Sequence, residues 1–356
     1  MMHISNQKGT KPRFSSAEAT SKSIAYRTIS FLANFRGITA LIAVFLLGVI
    51  LSPRLPENNL PIFLTWRAQS DILFEYAEYG ILATGMTLVI LAGGIDLSVG
   101  SVLGFAATLF SLLMIGFGWS APAAIVVTLM AGAVMGLVNG CLVARFRMQS
   151  FVATLAMMVA ARGAAKLISE GIKVQPAAKP WYALQANTPP IFEWMTTRIP
   201  VLGLQPITII FLINILVMLA VVRYTRFGRQ LYAIGGNEEA ARLSGIRTGL
   251  TKVYAFTLCA TMAAVAGISN ATRLDLGDPE AGATYELDAI AAVVIGGTSL
   301  MGGQGGMFFT LIGTLIIGFI NKILSLRAVP EHYRLLAKGA IIVAAVLIQQ
   351  KKQFSK

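Results

Sequence analysis

The chain of 356 residues is 56% hydrophobic and only 13% charged, with a mean hydropathy of +0.71. Soluble domains carry about 25% charged residues, so this composition excludes an ordinary water-soluble globule and points to the membrane. The net charge of +13 reads as the Lys/Arg excess of cytoplasmic loops beside membrane lipid, not as the footprint of a nucleic-acid binder.

Residues 1–36 are polar, with Lys8, Lys11, Arg13, Lys22, Arg27 and Arg36 against the single acid Glu18. The segment is long and Ser/Thr-rich, and no small-residue cleavage pattern closes the next run. A retained cytoplasmic N-terminal tail is expected. Apolar runs long enough to cross about 30 Å of hydrocarbon as helix then predict spans at 37–51, 72–91, 99–117, 122–143, 151–168, 205–222 and 252–270, followed by a short one at 287–295 and two more at 307–324 and 335–348. Alternating strands are absent, which excludes a barrel. The expected fold is an all-α membrane protein, a polytopic helical bundle of about ten transmembrane segments with Gly-broken helices. Its parts are a transmembrane domain at 37–350, a cytoplasmic loop at 223–251 and a C-terminal tail at 351–356.

Positive charge follows the even-numbered spans: Arg145 and Arg147 after the fourth, Arg223, Arg226, Arg229, Arg242 and Arg247 after the sixth, Lys351, Lys352 and Lys356 after the tenth. The odd-numbered exits are mixed in sign. The pattern places both termini in the cytoplasm. Lys322 and Arg327 run against this pattern, falling near an outward end, where they could snorkel. The outer loops 53–71 and 169–204 carry Pro, Trp and amide residues, including Pro180-Trp181; the second either docks a partner or merely connects spans. Cys141 and Cys259 both lie in apolar runs and are expected to be buried free thiols. His3 and His332 have no Cys cluster nearby, so no metal site is expected.

Two interruptions carry chemistry. Gly93-Gly94-Ile95-Asp96-Leu97-Ser98 separates the second and third spans, and Gly296-Gly297-Thr298-Ser299-Leu300 follows the eighth. Freed backbone groups and an ionisable Asp both need partners at membrane depth. Paired Gly-broken segments point to a transport pathway, although glycines also serve close helix packing. Asp96, Ser98, Thr298 and Ser299 are therefore candidates for a substrate pathway or gate, with Asn139, Arg162 and Asp288 as further polar residues at membrane depth. Arg162 and Lys166 share a helix face. Asp288 also suits the plain role of a helix N-terminal acid. No Gly-Lys-Ser or Gly-Lys-Thr is present, so no nucleotide loop is expected in this chain, and no nucleophilic constellation argues for an enzyme.

Residues 228–246 form a polar island between apolar runs. Asn237 suits an N-cap, Glu238 and Glu239 a first turn, and Gly245 a helix end. Ala240, Ala241 and Leu243 would offer a small apolar face beside Arg242. A capped helix outside the membrane is best explained by a partner groove.

At these residues the chain resembles the permease subunits of bacterial ABC importers of the ribose/monosaccharide type. The strings are GGIDLSVGS at 93–101, GRQLYAIGGNEEAARLSGI at 228–246 and YELDAIAAVVIGGTSLMGGQG at 285–305. Glu239-Ala240-Ala241-x-x-x-Gly245 also matches the core of the broader permease coupling motif, without its frequent closing Leu-Pro. The resemblance implies a non-catalytic pore subunit in the bacterial cytoplasmic (inner) membrane, with Asn237–Gly245 coupling it to an ATPase subunit. It implies a periplasmic sugar-binding protein, a second permease copy (homodimer or heterodimer), and no cofactor in this chain, ATP and Mg being used by the ATPase. The substrate expected is a monosaccharide; a nucleoside or quorum-signal sugar is the alternative. An ion-coupled secondary transporter using Asp96 or Asp288 is the rival from another class.

Overall fold

The computed structural model describes residues 36–176 and 188–351. The expected N-terminal tail, Pro180-Trp181 of the outer loop and residues 352–356 lie outside the described residues. The described chain is all-helical: α1 Arg36–Leu51, α2 Trp66–Glu75, α3 Ala77–Leu91, α4 Val99–Ser111, α5 Ala121–Arg145, α6 Ser150–Ser169, α7 Pro190–Thr196, α8 Pro206–Tyr224, α9 Arg226–Gly236, α10 Glu238–Leu243, α11 Thr248–Leu274, α12 Tyr285–Gly296, α13 Met307–Leu326 and α14 Glu331–Lys351. A π-turn at Leu112–Gly116 prolongs α4. Strand pairing among the described residues is limited to isolated bridges.

Six stretches are long and apolar enough to cross a bilayer: α4 with its π-turn, α5, α6, α8, α11 and α13. α1 and α3 are shorter apolar helices. The expected span at 72–91 is split at Tyr76, because the sequence before it is polar: α2 carries Arg67, Asp71 and Glu75 and starts under a Thr65 cap whose hydroxyl accepts from Ala68 N at 3.2 Å. Helices α7 and α9 stand where loops were expected.

The 27-residue α11 is the central element, packed on α5, α4 and α3. Lipid offers little hydrophobic drive for helix association, so membrane helices associate through close backbone approach at small residues. Gly132, Gly136 and Gly140 recur every fourth residue on the face of α5 that meets α11. A Cβ at Gly136 would lie 2.4 Å from Phe256 O and 2.7 Å from Ala260 Cβ, and one at Gly140 2.6 Å from Val253 Cα. The opposite face of α5 presents exposed Val126, Met130 and Val134, an apolar surface suited to lipid. Cys141 also lies exposed on α5, whereas Cys259 is buried. The expectation of burial fails for Cys141 because an apolar run in a membrane has a lipid side as well as a protein side.

Charges at the end of the bundle that carries α2 are paired. Lys322 Nζ lies 3.6 Å from Glu75 and 3.9 Å from Asp71, Arg198 pairs with Asp71, and Arg327 Nε donates to Leu51 O at 2.7 Å. Lys322 is thus held by the carboxylates of α2 and Arg327 by the C-terminal carbonyl of α1. Gly136→Leu is expected to part α5 from α11 and cost about 1–3 kcal/mol or more by overpacking. A lowered melting temperature of the detergent-solubilised protein, with no such loss for Val134→Leu on the outer face, checks this.

Candidate functional site

After Leu91 the backbone turns through left-handed Gly93 (φ 76°) into the 92–98 break. Asp96 Oδ1 accepts from Ser98 N at 2.9 Å and Ser98 Oγ at 2.5 Å, a local Asx-type turn that launches α4. Asn139 Nδ2 of α5 donates to Ser98 Oγ at 3.0 Å, and the Cys259 thiol of α11 lies against Asp96. Asp96, Ser98 and Asn139 are fully buried. The fold therefore gathers these three candidates into one node linking α4, α5 and α11. Asp96 Oδ2 and Asn139 Oδ1 have no hydrogen-bond partner among the described residues. The freed donors of the break are met from α6, where Ser150 Oγ accepts from Ile95 N (3.2 Å) and Thr154 Oγ1 from Leu97 N (3.1 Å). Sequence reasoning passed over Ser150 and Thr154, whose signal was only a hydroxyl recurring one helical turn later.

The second break runs from Gly297 (φ 116°) to Gly306. Thr298 is buried and its Oγ1 accepts from Gly306 N at 3.1 Å. Ser299 N donates to Gln304 O (3.0 Å), and Ser299 Oγ accepts from Met301 N (3.2 Å). Both hydroxyls staple the loop to itself. The two breaks meet: Gly303 N donates to Leu91 O at 3.1 Å.

Arg162 and Asp288 lie elsewhere. Arg162 Nη1 donates to Pro279 O (2.5 Å) and Ala281 O (2.7 Å), tying α6 to the 275–284 loop. Lys166, on the same face, pairs with Glu280 at 2.5 Å. Asp288 stands in the first turn of α12, buried, with its carboxylate 2.9 Å from Lys338 Nζ of α14. Sequence reasoning missed Glu78, although an ionisable residue inside a predicted span is itself a signal. Its carboxylate is fully buried and accepts from Arg273 Nε at 2.6 Å and Asn270 Nδ2 at 2.9 Å.

The 228–246 island folds as two short helices. Thr225 caps α9 by accepting from Gly228 N. Asn237 Oδ1 accepts from Ala240 N at 2.9 Å and caps α10, with Glu238 and Glu239 in the first turn. Gly245 adopts φ 84°, with Gly245 N donating to Arg242 O and Ile246 N to Ala241 O. This is the bonding of a Schellman stop. Glu239 and Arg242 form an exposed pair at 2.6 Å. Arg242's hydrogen bond, then its charge, hold the Glu239 carboxyl below its ordinary range, with little effect on stability in open solvent. Glu238 pairs with Lys252 of α11 at 2.6 Å. Ala240 and Leu243 point outward, but Ala241 is only 5% exposed and packs into the core. The expected apolar face is corrected accordingly: three or four residues per turn place 241 opposite 239 and 243. A cleft of about 630 Å³ separates α10 from the α5–α6 turn and the first break, with Arg147, Gln149, Ser150, Lys252 and Gly94 in its walls.

A polytopic helical bundle with Gly-broken helices and a capped helix at its surface has the architecture of a membrane transport subunit. Residues 69–346 match the family described as the permease component of the branched-chain amino acid transport system, and the chain belongs to this permease family. It is 39% identical over 330 residues to the ribose import permease protein RbsC of Escherichia coli strain K12, covering 92% of this chain and 97% of that protein. The Bacillus subtilis strain 168 ribose import permease protein RbsC is 37% identical over 326 residues, covering 92% of this chain and 96% of its own. The xylose transport system permease protein XylH of Escherichia coli strain K12 is 35% identical over 334 residues, 80% of this chain and 85% of that protein.

Asp96→Ala removes the acceptor of two buried donors, a loss of about 1–3 kcal/mol, and is expected to abolish most transport from a normally inserted protein. Asp96→Asn keeps the Oδ1 acceptor and should retain most activity. Uptake assays normalised to membrane-inserted protein decide this, and wild-type uptake from Asp96→Ala would remove the residue from the candidate site. Arg273→Ala strands the buried Glu78 carboxylate, at a cost of about 3–5 kcal/mol before discounting for Arg273's partial exposure. Its melting temperature in detergent should fall further than that of the Glu78→Gln/Arg273→Met double variant.

Proposed function

We propose that this chain is the pore subunit of an ATP-driven importer for a ribose-like monosaccharide in a bacterial inner membrane, with both termini cytoplasmic. The near full-length similarity to ribose import permeases carries the reading. The capped, outward-standing α10 supports it, since a rigid helix with exposed Ala240 and Leu243 suits the groove of a soluble partner. ATP and Mg are handled by that ATPase partner, and a periplasmic sugar-binding protein delivers the substrate. Two ATPase sites require two coupling contacts and each chain has one, so two permease copies assemble, most simply as a homodimer.

Nucleotide-driven closure of the partner displaces α10. The node of Asp96, Ser98 and Asn139, and the loop stapled by Thr298 and Ser299, act as the gate that responds. Because these side chains bond to the protein itself, their part is to hold or release the broken helices. Arg162 and Asp288 fix loop 275–284 and α12 along the pathway. Weak contact with sugar suffices in the pore, as tight binding there would slow release; selectivity belongs chiefly to the binding protein.

Proteoliposomes holding this chain, its ATPase and the binding protein should take up ribose only with ATP. Uptake driven by an ion gradient without ATP would overturn the reading in favour of secondary transport. The purified assembly should have the mass of two permease and two ATPase chains. Leu243→Asp, placed at the exposed tip of α10, should weaken ATPase association by about 1–3 kcal/mol, roughly five- to 150-fold, without affecting membrane insertion. Co-purification ratios and titration of the ATPase onto reconstituted permease measure that change.

A further inference from the structure

The two glycine breaks and the end of α9 are pressed together backbone to backbone. A Cβ at Gly235 would stand 2.0 Å from Leu91 O, at the end of α3, and 2.3 Å from Gly303 N in the second break. A Cβ at Gly302 would stand 2.9 Å from both Gly235 Cα and Gly93 N. No side chain fits between them. Two hydrogen bonds cross the same junction: Gly303 N to Leu91 O at 3.1 Å, and Tyr232 OH of α9 to Gly305 O at 2.8 Å.

α9 continues into α10 through the single residue Asn237, whose N donates to Ala233 O (3.0 Å) and whose O accepts from Ala241 N (3.0 Å). The link is therefore bonded on both sides and has no slack. Close-packed interiors transmit displacement instead of absorbing it. We propose that Gly93, Gly235 and Gly302 form a joint that passes displacement of α10 to both broken helices at once, with Gly235 as the positioning residue. The joint rests on the ATP-driven reading above and adds the route by which force leaves the coupling helix. Gly93 and Gly302 are also left-handed, at φ 76° and 87°, so a side chain there would disturb the turns themselves. Gly235 has no such backbone requirement; its lack of a side chain serves the approach alone.

The neighbouring glycine supplies the control. Gly236 lies on the same helix, is exposed, and a Cβ there meets nothing within 4 Å. Alanine raises helix propensity equally at both positions, so any difference between the two variants comes from the contact. The wild-type permease, its ATPase and the binding protein are reconstituted in nanodiscs for ATP hydrolysis and in proteoliposomes for uptake, with radiolabelled ribose as probe. Gly235→Ala is expected to assemble with the ATPase and keep basal hydrolysis, while ribose-stimulated hydrolysis and uptake fall about tenfold. Gly236→Ala should match wild type. If wild type itself shows no ATP-dependent uptake, the importer reading fails and the joint with it. If wild type couples and Gly235→Ala couples equally well, the joint alone is overturned. Loss of ATPase assembly in an inserted Gly235→Ala protein would also overturn it, by making the contact a docking support. Should Gly235→Ala fail to insert, Tyr232→Phe decides: removing one cross-junction bond should lower uptake about threefold with assembly intact, and unchanged uptake would overturn the proposal.

Discussion

Hydrocarbon supplies no water to a freed backbone group, so each helix that breaks inside a membrane protein must find its partners within the protein. That constraint organises this structure. The break after α3 is closed by Asp96 on Ser98 and by two hydroxyls from α6. The break after α12 is closed by Thr298 and Ser299 on their own loop. What neither loop satisfies alone is shared between them, through Gly303 and Leu91. Asp96, Ser98 and Thr298 are consequently turned inward, and the two interruptions, some two hundred residues apart, behave as one structural unit.

The same scarcity of solvent governs how the helices associate. α11 approaches α5 over glycines spaced by four residues and lies against the small side chains of its own core face, among them Ala260, Ala263 and Gly267. Backbones this close gain dispersion contacts over a long seam. They also leave little room for one helix to slide past another, which favours motion of rigid groups over local yielding. The two short helices α9 and α10 follow this pattern: α9 is anchored at its C-terminal end by Gly235, and α10 leans on α11 through the Glu238–Lys252 pair.

Ionisable groups within the bundle are paired across elements. Glu78 with Arg273 joins α3 to α11, and Asp288 with Lys338 joins α12 to α14. Breaking one partner of such a pair costs far more than removing both. These contacts fix the register of helices that carry few other specific polar marks. Asp96 differs from them in having no cation partner among the described residues, which sets the Asp96–Ser98–Asn139 node apart from the ion pairs.

Much of this was legible in the chain itself. Apolar runs gave the helices and their approximate ends, because spanning length is set by bilayer thickness and not by tertiary context. The caps of α10 were readable because Asn237, Glu238, Glu239 and Gly245 act within one or two turns of their own positions. That Asp96 and the paired glycine breaks need partners followed from the cost of polar groups at membrane depth. Their partners were not readable. Asn139, Ser150 and Thr154 come to the first break from other helices, and Glu78 finds Arg273 nearly two hundred residues away. The inward turn of Ala241, the exposed position of Cys141 and the meeting of Gly93, Gly235 and Gly302 were equally decided by packing. A membrane chain is apolar on both its lipid and its protein faces, so hydrophobic pattern, which in water separates inside from outside, loses that power here; only the close approach of backbones determines which small residue meets which.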